Sequence, residues 1–205
     1  MTQTDNNWIY SENVKKHFFN PKNILKVPEE EYQADGIGFV GSPECGDMMK
    51  MWIKVKNDKI AECKWQTFGC ASAISSTSVL SEIVTKNQGM SLKQALKITP
   101  QDIIKELGGL PDNKIHCSVL GDRALINAIN DYFLKTGQKE KQVKEKKDLI
   151  CSCFNIESKD IEQLIIKGQK TFSAIQKETK LGTACGKCIS KAKKFIDAYN
   201  KKYLS

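Results

Sequence analysis

Apolar and polar positions change their period several times along the chain, and each change marks an element. Tyr10 to Phe18 has the 3.6-residue spacing of a short helix, closed by Asn20-Pro21. A polar, loop-like stretch covers residues 22–34. Gly36 to Gly41 is short and apolar and reads as a strand. Met49, Met51, Ile53 and Val55 then alternate with Lys50, Trp52, Lys54 and Lys56, which predicts a strand buried on one face. Asn57-Asp58-Lys59 is a turn, and Ile60 to Phe68 alternates again, so the two runs form a hairpin. Cys63 falls mid-strand on the face of Ala61, Trp65 and Thr67, where a small buried residue is expected.

Helical spacing returns at Gly69-Cys70. Ile74, Val79, Leu80, Ile83 and Val84 follow, after a first stretch rich in Ala and Ser that leaves room for close approach. Gly89 ends this helix. Ser91 caps a short one through Ile98, and Thr99-Pro100-Gln101-Asp102 has the cap, proline and acid of another helix start. Gly108-Gly109-Leu110-Pro111 breaks the pattern before a helix that runs from the His116-Cys117 pair to about Phe133. Residues 135–148 are Lys, Glu and Gln with Val143 as the lone apolar position, a linker or exposed helix extension. Beyond it, Ser158 opens a helix through Ile161, Leu164, Ile165 and Ile166. Thr171 or Ser173 opens another, and Leu181-Gly182-Thr183-Ala184-Cys185-Gly186-Lys187-Cys188 leads into a last helix through Tyr199. No strand alternation appears there, so about 55 residues make a small helical unit whose core gains from a metal clip.

The fold class expected is α+β: a small antiparallel sheet with packed helices over 8–134, a charged linker over 135–148, and a small all-α unit over 149–205. Composition narrows the function. No run of about 18 apolar residues exists, so no transmembrane helix is expected. The polar start Met1-Thr2-Gln3-Thr4-Asp5 lacks a signal-peptide pattern, and a cytoplasmic protein is expected. There, eight cysteines point to metal or redox chemistry rather than disulfides. The net charge of +8 is uneven: 15 basic against 16 acidic residues up to position 134, and 11 against 5 from 149 onward. The excess is Lys interleaved with apolar helical positions, which suits a solvated face or a docking face for an acidic partner better than a nucleic-acid surface.

The cysteines fall into two sets. Cys151, Cys153, Cys185 and Cys188 form Cys-x-Cys plus Cys-x-x-Cys, able to hold zinc or a 2Fe–2S cluster. Zinc ribbons use two similar knuckles, whereas here the second pair opens a helix whose N–H groups suit an anionic cluster, so the pattern favours 2Fe–2S. Cys45, Cys70 and Cys117 are far apart in sequence. Each lies at a loop or element end beside small or polar residues, with Asp47 and His116 near two of them. Cys70 at a helix start is set to favour thiolate. Three thiolates and a carboxylate sum to about −4, so such a site wants a cation, either Zn²⁺ or the iron of a cluster. Three unrelated buried cysteines are the alternative reading. His17, beside Phe18, is expected to pack or cap rather than ligate.

At these residues the chain resembles the IscU/NifU family of iron–sulfur cluster assembly scaffolds. The likeness rests on His17-Phe18-Phe19-Asn20-Pro21, Cys45-Gly46-Asp47, Gln66-Thr67-Phe68-Gly69-Cys70, Ala73-Ile74-Ser75-Ser76, Leu96-Lys97-Ile98 and Lys114-Ile115-His116-Cys117-Ser118-Val119. The last part resembles the bacterioferritin-associated-ferredoxin type of 2Fe–2S domain found after the scaffold domain in NifU proteins. The resemblance implies an assembly scaffold without enzymatic turnover. A cysteine desulfurase of the NifS/IscS type delivers sulfur as persulfide, and iron binds. A transient cluster forms on Cys45, Cys70 and Cys117, then passes to apo acceptor proteins. Asp47 would keep it labile and His116 would be an accessory ligand. Cys151, Cys153, Cys185 and Cys188 would hold a permanent 2Fe–2S redox cluster, with an electron donor as a further partner. A homodimer is implied, with no membrane and no nucleic acid, and nitrogenase is one candidate client. At rest the first site would hold iron or zinc. The competing functions are a zinc-dependent sulfur acceptor that activates a desulfurase, and a 2Fe–2S electron-transfer protein. The zinc-dependent relatives usually lack a histidine before the last cysteine, so His116 argues against the first. Two departures stand out. The family's third domain, with one more Cys-x-x-Cys, is not expected after Ser205. The chaperone motif Leu-Pro-Pro-Val-Lys stands here as Leu110-Pro111-Asp112-Asn113-Lys114.

Overall fold

The computed structural model describes residues 10–41, 48–111, 114–143 and 149–203, with the backbone alone at His116, Cys117, Val119, Lys202 and Tyr203. Three antiparallel strands, β1 (Gly36–Gly41), β2 (Met48–Lys56) and β3 (Lys59–Thr67), form one sheet in that order. Asn57 and Asp58, at φ of 51° and 60°, make the two-residue turn of the β2–β3 hairpin. Both lie in the left-handed region that suits the twist of such hairpins and that Asn and Asp tolerate best after Gly.

One face of the sheet carries Met49, Met51, Ile53, Cys63 and Trp65. Against it pack α3 (Ala71–Thr85) and α6 (Ile115–Lys135), with α1 (Glu12–Phe19) on the far side of α3. The Ala/Ser-rich start of α3 does admit a close neighbour, and that neighbour is the fold itself. The Ser75 hydroxyl donates to the Val14 carbonyl of α1 at 2.8 Å, and Ser78 Oγ meets His17 Nδ1 at 2.8 Å. His17 is buried, and burial lowers the pKa of its imidazole below the ordinary range. It is a packing residue.

The sheet departs from simple alternation at two places. Trp52 points away from the main core yet is buried, because the 22–34 segment folds back with a helical turn, α2 (Glu29–Tyr32), and covers it with Leu25 and Tyr32. A bulge then sets Lys54 opposite Glu62 but Val55 opposite Ile60, leaving Ala61 as an extra residue. Ala61 is therefore exposed and Ile60 buried, against the strict alternation expected.

β1 lies directly on α6. A Cβ built on Gly38 would stand 1.9 Å from the Ala124 carbonyl oxygen, and one on Gly36 would stand 2.2 Å from that of Ala128. These obstacles are main chain of a buried helix and cannot rotate away. Gly38→Ala should lower stability by about 1–3 kcal/mol or more, the usual cost of overpacking. Thermal unfolding of the variant checks this, and a midpoint within a degree of the parent would refute the close-packing account.

Between the two long helices lie α4 (Leu92–Ala95) and α5 (Pro100–Glu106). Helix α4 is capped by Ser91 and stops short of Ile98. Helix α5 starts on the full capping box of Thr99 and Asp102. After α6 a 3₁₀ turn at Lys139–Lys141 follows, and Asn130 bonds both the N–H and the carbonyl of Val143, holding this segment against the helix.

The C-terminal part is helical as expected, with α7 (Ser158–Ile166), α8 (Phe172–Thr179) and α9 (Ile189–Tyr203). It also contains a two-stranded ribbon, β4 (Leu149–Cys151) with β5 (Ile156–Glu157), that the sequence pattern did not show. Five strand residues are too few to display a period. A separate core gathers here around Ile150, Ile161, Ile165, Ile175, Leu181 and Ile196. Among the described residues no helix is long and apolar enough to cross a membrane.

Candidate metal centres

The described parts of the first site lie along one sheet edge and the helix starts beside it. Gly38 faces Ala124 and Gly36 faces Ala128, so β1 runs back toward the start of α6 and ends near it at Gly41. Gly41 pairs with Met48. The connection between them carries Cys45 and Asp47, which lie outside the described residues. Met49 in turn pairs with Thr67, so β3 ends at the same edge and passes straight into Phe68-Gly69-Cys70. Cys70 is the N-cap of α3, with extended backbone at φ −69° and ψ 171°. Cys117 and His116 lie in the first turn of α6, where only their backbone is described. Helices α3 and α6 are held close by Gly121, where a Cβ would come within 3.1 Å of Thr77 Oγ1.

One residue that sequence reasoning passed over fixes this corner. The Thr67 hydroxyl donates to the Met48 carbonyl at 2.5 Å and accepts the Gly69 N–H at 3.0 Å. It thus ties the strand end after the Cys45 connection to the approach of Cys70. Its position inside the Gln66–Cys70 motif was the available signal. Cys63 is not part of the corner: it is fully buried in the sheet core, and burial pushes its thiol up to about 12.

The second set is described in full. Cys151 ends β4, Cys153 lies in the ribbon's turn, and Cys185 and Cys188 lie in the approach to α9. Cys153 Sγ and Cys185 Sγ are 3.5 Å apart. Cys151 is in hydrogen-bond contact with Cys153 and Cys188, so the four sulfurs form a string, Cys188–Cys151–Cys153–Cys185. Hydrogen bonding from Cys153 brings the Cys151 thiol down to about 5, with help from the Phe154 and Gly182 N–H groups. The neighbours keep their own protons: Cys153 is pushed up by its bond to Cys151, and Cys188 is pushed up to about 12 by burial and the nearby Cys151 charge. The Phe154 and Gly182 N–H groups around Cys151 favour negative charge on its sulfur. Metal ligation needs the remaining protons to leave. Among the described residues no three His, Cys, Asp or Glu side chains converge as they would around a single ion.

Between the two parts lies a cleft of about 1080 Å³. Gly41, Asp122 and Arg123 stand on one wall, and Cys151, Cys153 and Cys188 on the other. Asp122 is buried, and its Oδ1 has no hydrogen-bond partner among the described residues. Burial raises its carboxyl to about 7. No sequence signal singled it out.

Comparison with known proteins accords with this geometry. The model of the NifU-like N terminal domain family matches residues 9–139, and that of the BFD-like [2Fe-2S] binding domain matches 149–198. The iron-sulfur cluster assembly scaffold protein IscU 1 of Archaeoglobus fulgidus is 47% identical over 133 residues, which is 65% of this chain and 82% of the relative. The scaffold protein IscU of Aquifex aeolicus is 42% identical, over 75% of this chain and 91% of its own. The nitrogen fixation protein NifU of Trichormus azollae is 37% identical over 90% of this chain, which spans 62% of that relative's length. The chain belongs to the NifU-like N-terminal domain family and carries a BFD-like [2Fe-2S] binding domain after it.

Proposed function

We propose that this protein is a scaffold on which iron–sulfur clusters are built and from which they pass to apo acceptor proteins. The supporting observation is the shared sheet edge: Gly41 and Met48, which flank the segment bearing Cys45 and Asp47, pair beside the end of β3 that leads into the α3 N-cap Cys70, and β1 runs along α6, whose first turn bears His116 and Cys117. Ligands from three separate elements make a site that can open by small movements of any one of them, as cargo release requires. The scaffold names of the Archaeoglobus fulgidus and Aquifex aeolicus relatives support the same reading. Sulfur would come from a cysteine desulfurase, and Asp47 would supply the harder, more exchangeable ligand.

In this reading the chain divides into a scaffold domain over 8–134, a linker over 135–148 and a cluster-binding domain over 149–205. Cys151, Cys153, Cys185 and Cys188 would hold a resident 2Fe–2S cluster, which supplies one-electron redox chemistry. Four cysteine sulfurs gathered in one place, with Cys153 Sγ and Cys185 Sγ 3.5 Å apart, can offer two thiolates to each of two irons.

The test is anaerobic incubation with iron, cysteine and a desulfurase, followed by an apo acceptor. Iron and sulfide beyond the C-terminal complement should accumulate and then move to the acceptor. Tight zinc at the first site with no iron uptake would sink the scaffold reading in favour of a zinc-dependent sulfur acceptor. Asp47→Ala should hold its assembled cluster several-fold longer, read as slower decay of visible absorbance in the presence of acceptor. Equal or faster decay would remove Asp47 from the release step.

A further inference from the structure

Helix α6 contributes to two cores. From Leu125 to Phe133 the helix fills the core under the sheet. Ile115, at its start, is buried instead in the C-terminal core with Ile150, Cys151, Cys153, Ile161 and Cys188. A second contact comes from α5, where Ile104 packs against the same C-terminal core. A third is polar: Gln101 Nε2 donates to the Cys153 carbonyl at 3.0 Å. The helix has no side-chain cap at Lys114 to hold its first turn. The turn is braced from inside by the Ser118 hydroxyl donating to the Ile115 carbonyl at 2.7 Å, and from outside by these contacts.

We infer that the C-terminal part docks on the start of α6 through Ile115 and on α5 through Gln101, and that these two positioning residues couple the four-cysteine core to the segment carrying His116 and Cys117. Ile115 and Cys117 are two residues apart on one rigid turn. A displacement of the Ile115 side chain with the C-terminal core moves the Cys117 backbone by a similar amount. Gln101 fixes the docking angle, because its partner is the main chain of a cysteine rather than a mobile side chain. The docking stands on contacts within this chain. Its meaning for assembly rests on the reading of Cys117 as a ligand given above.

Amide hydrogen exchange on the intact chain tests the docking without any assembly assay. Ile115→Ala should speed exchange across the boundary, at residues 150–156, by about threefold or more, since local opening follows the loss of buried apolar contact. Reciprocally, Ile165→Ala, deep in the C-terminal core, should speed exchange at 116–120. Effects confined to the mutated side in both variants would overturn the docking. If either variant does not fold, Gln101→Ala decides the matter: it leaves both cores intact and should speed exchange at 154–156 by about twofold. Unchanged exchange there overturns the proposal. Cluster build-up in the same samples separates the two readings. Coupled exchange without build-up leaves the docking standing and removes the scaffold function, and build-up with uncoupled exchange does the reverse.

Discussion

Cys117→Ala is expected to abolish cluster build-up at the first site while the C-terminal cluster remains. Iron and sulfide per chain, with the visible spectrum, would fall to the complement of the four C-terminal cysteines, a loss of about tenfold or more in assembled cargo, since even an outer-shell partner costs about that much when removed. Ligand number sets the outcome. Two remaining thiolates with a carboxylate or imidazole cannot complete two irons. The position is in the first helical turn, where alanine is the best helix former, so the fold should tolerate the change. Cys70→Ala should behave alike for iron, with no capping bond lost, because the Cys70 side chain does not cap α3. Full build-up in either variant, with circular dichroism unchanged, would show that the cysteine is not a ligand.

That result would test a site only partly legible in the sequence. The C-terminal quartet was plain because its members lie in two local pairs, and local spacing survives folding. Cys45, Cys70 and Cys117 are distant along the chain, and whether they share a site depends on strand order and on which way β1 runs over α6. Those are tertiary facts that Gly36 and Gly38 encode by admitting the helix backbone, and nothing in an apolar hexapeptide announces which helix that is. Thr67 and Asp122 went unnoticed for a similar reason: the value of a hydroxyl or carboxylate lies in partners far away in sequence. Regular alternation predicted β2 and β3 well, and failed where a second layer intrudes. Trp52 sits among lysines in the pattern but is covered by Leu25 and Tyr32, and the bulge at Ala61 shifts the phase of the strand's first residues. Ile115 is the sharpest case. Its place in a helical stripe is compatible with either core, and only the docked structure assigns it to the C-terminal one.

Asp122→Asn is expected to stabilise the protein at neutral and alkaline pH and to have little effect in acid. Burial lifts the Asp122 carboxyl from its ordinary value of 3.8 to about 7, and Oδ1 has no partner among the described residues. Below pH 3.8 the group is protonated whether the chain is folded or unfolded, so its titration adds nothing to the pH dependence. Between 3.8 and about 7 the unfolded chain releases the proton while the folded chain keeps it, and stability falls as pH rises. Above 7 both states are ionised and the penalty is constant. A separation of about three pH units corresponds to roughly 4 kcal/mol as an upper bound, at about 1.4 kcal/mol per unit. Asparagine keeps the shape and does not titrate. The stability difference between variant and parent should therefore grow from acid to neutral pH and then level off. Denaturant unfolding of both proteins with the C-terminal site loaded, at pH 4.5, 6, 7 and 8, measures it. A difference that does not change across that range would mean that the carboxylate is already ionised and paired in the fold, with Arg123, its neighbour on the cleft wall, as the first partner to examine.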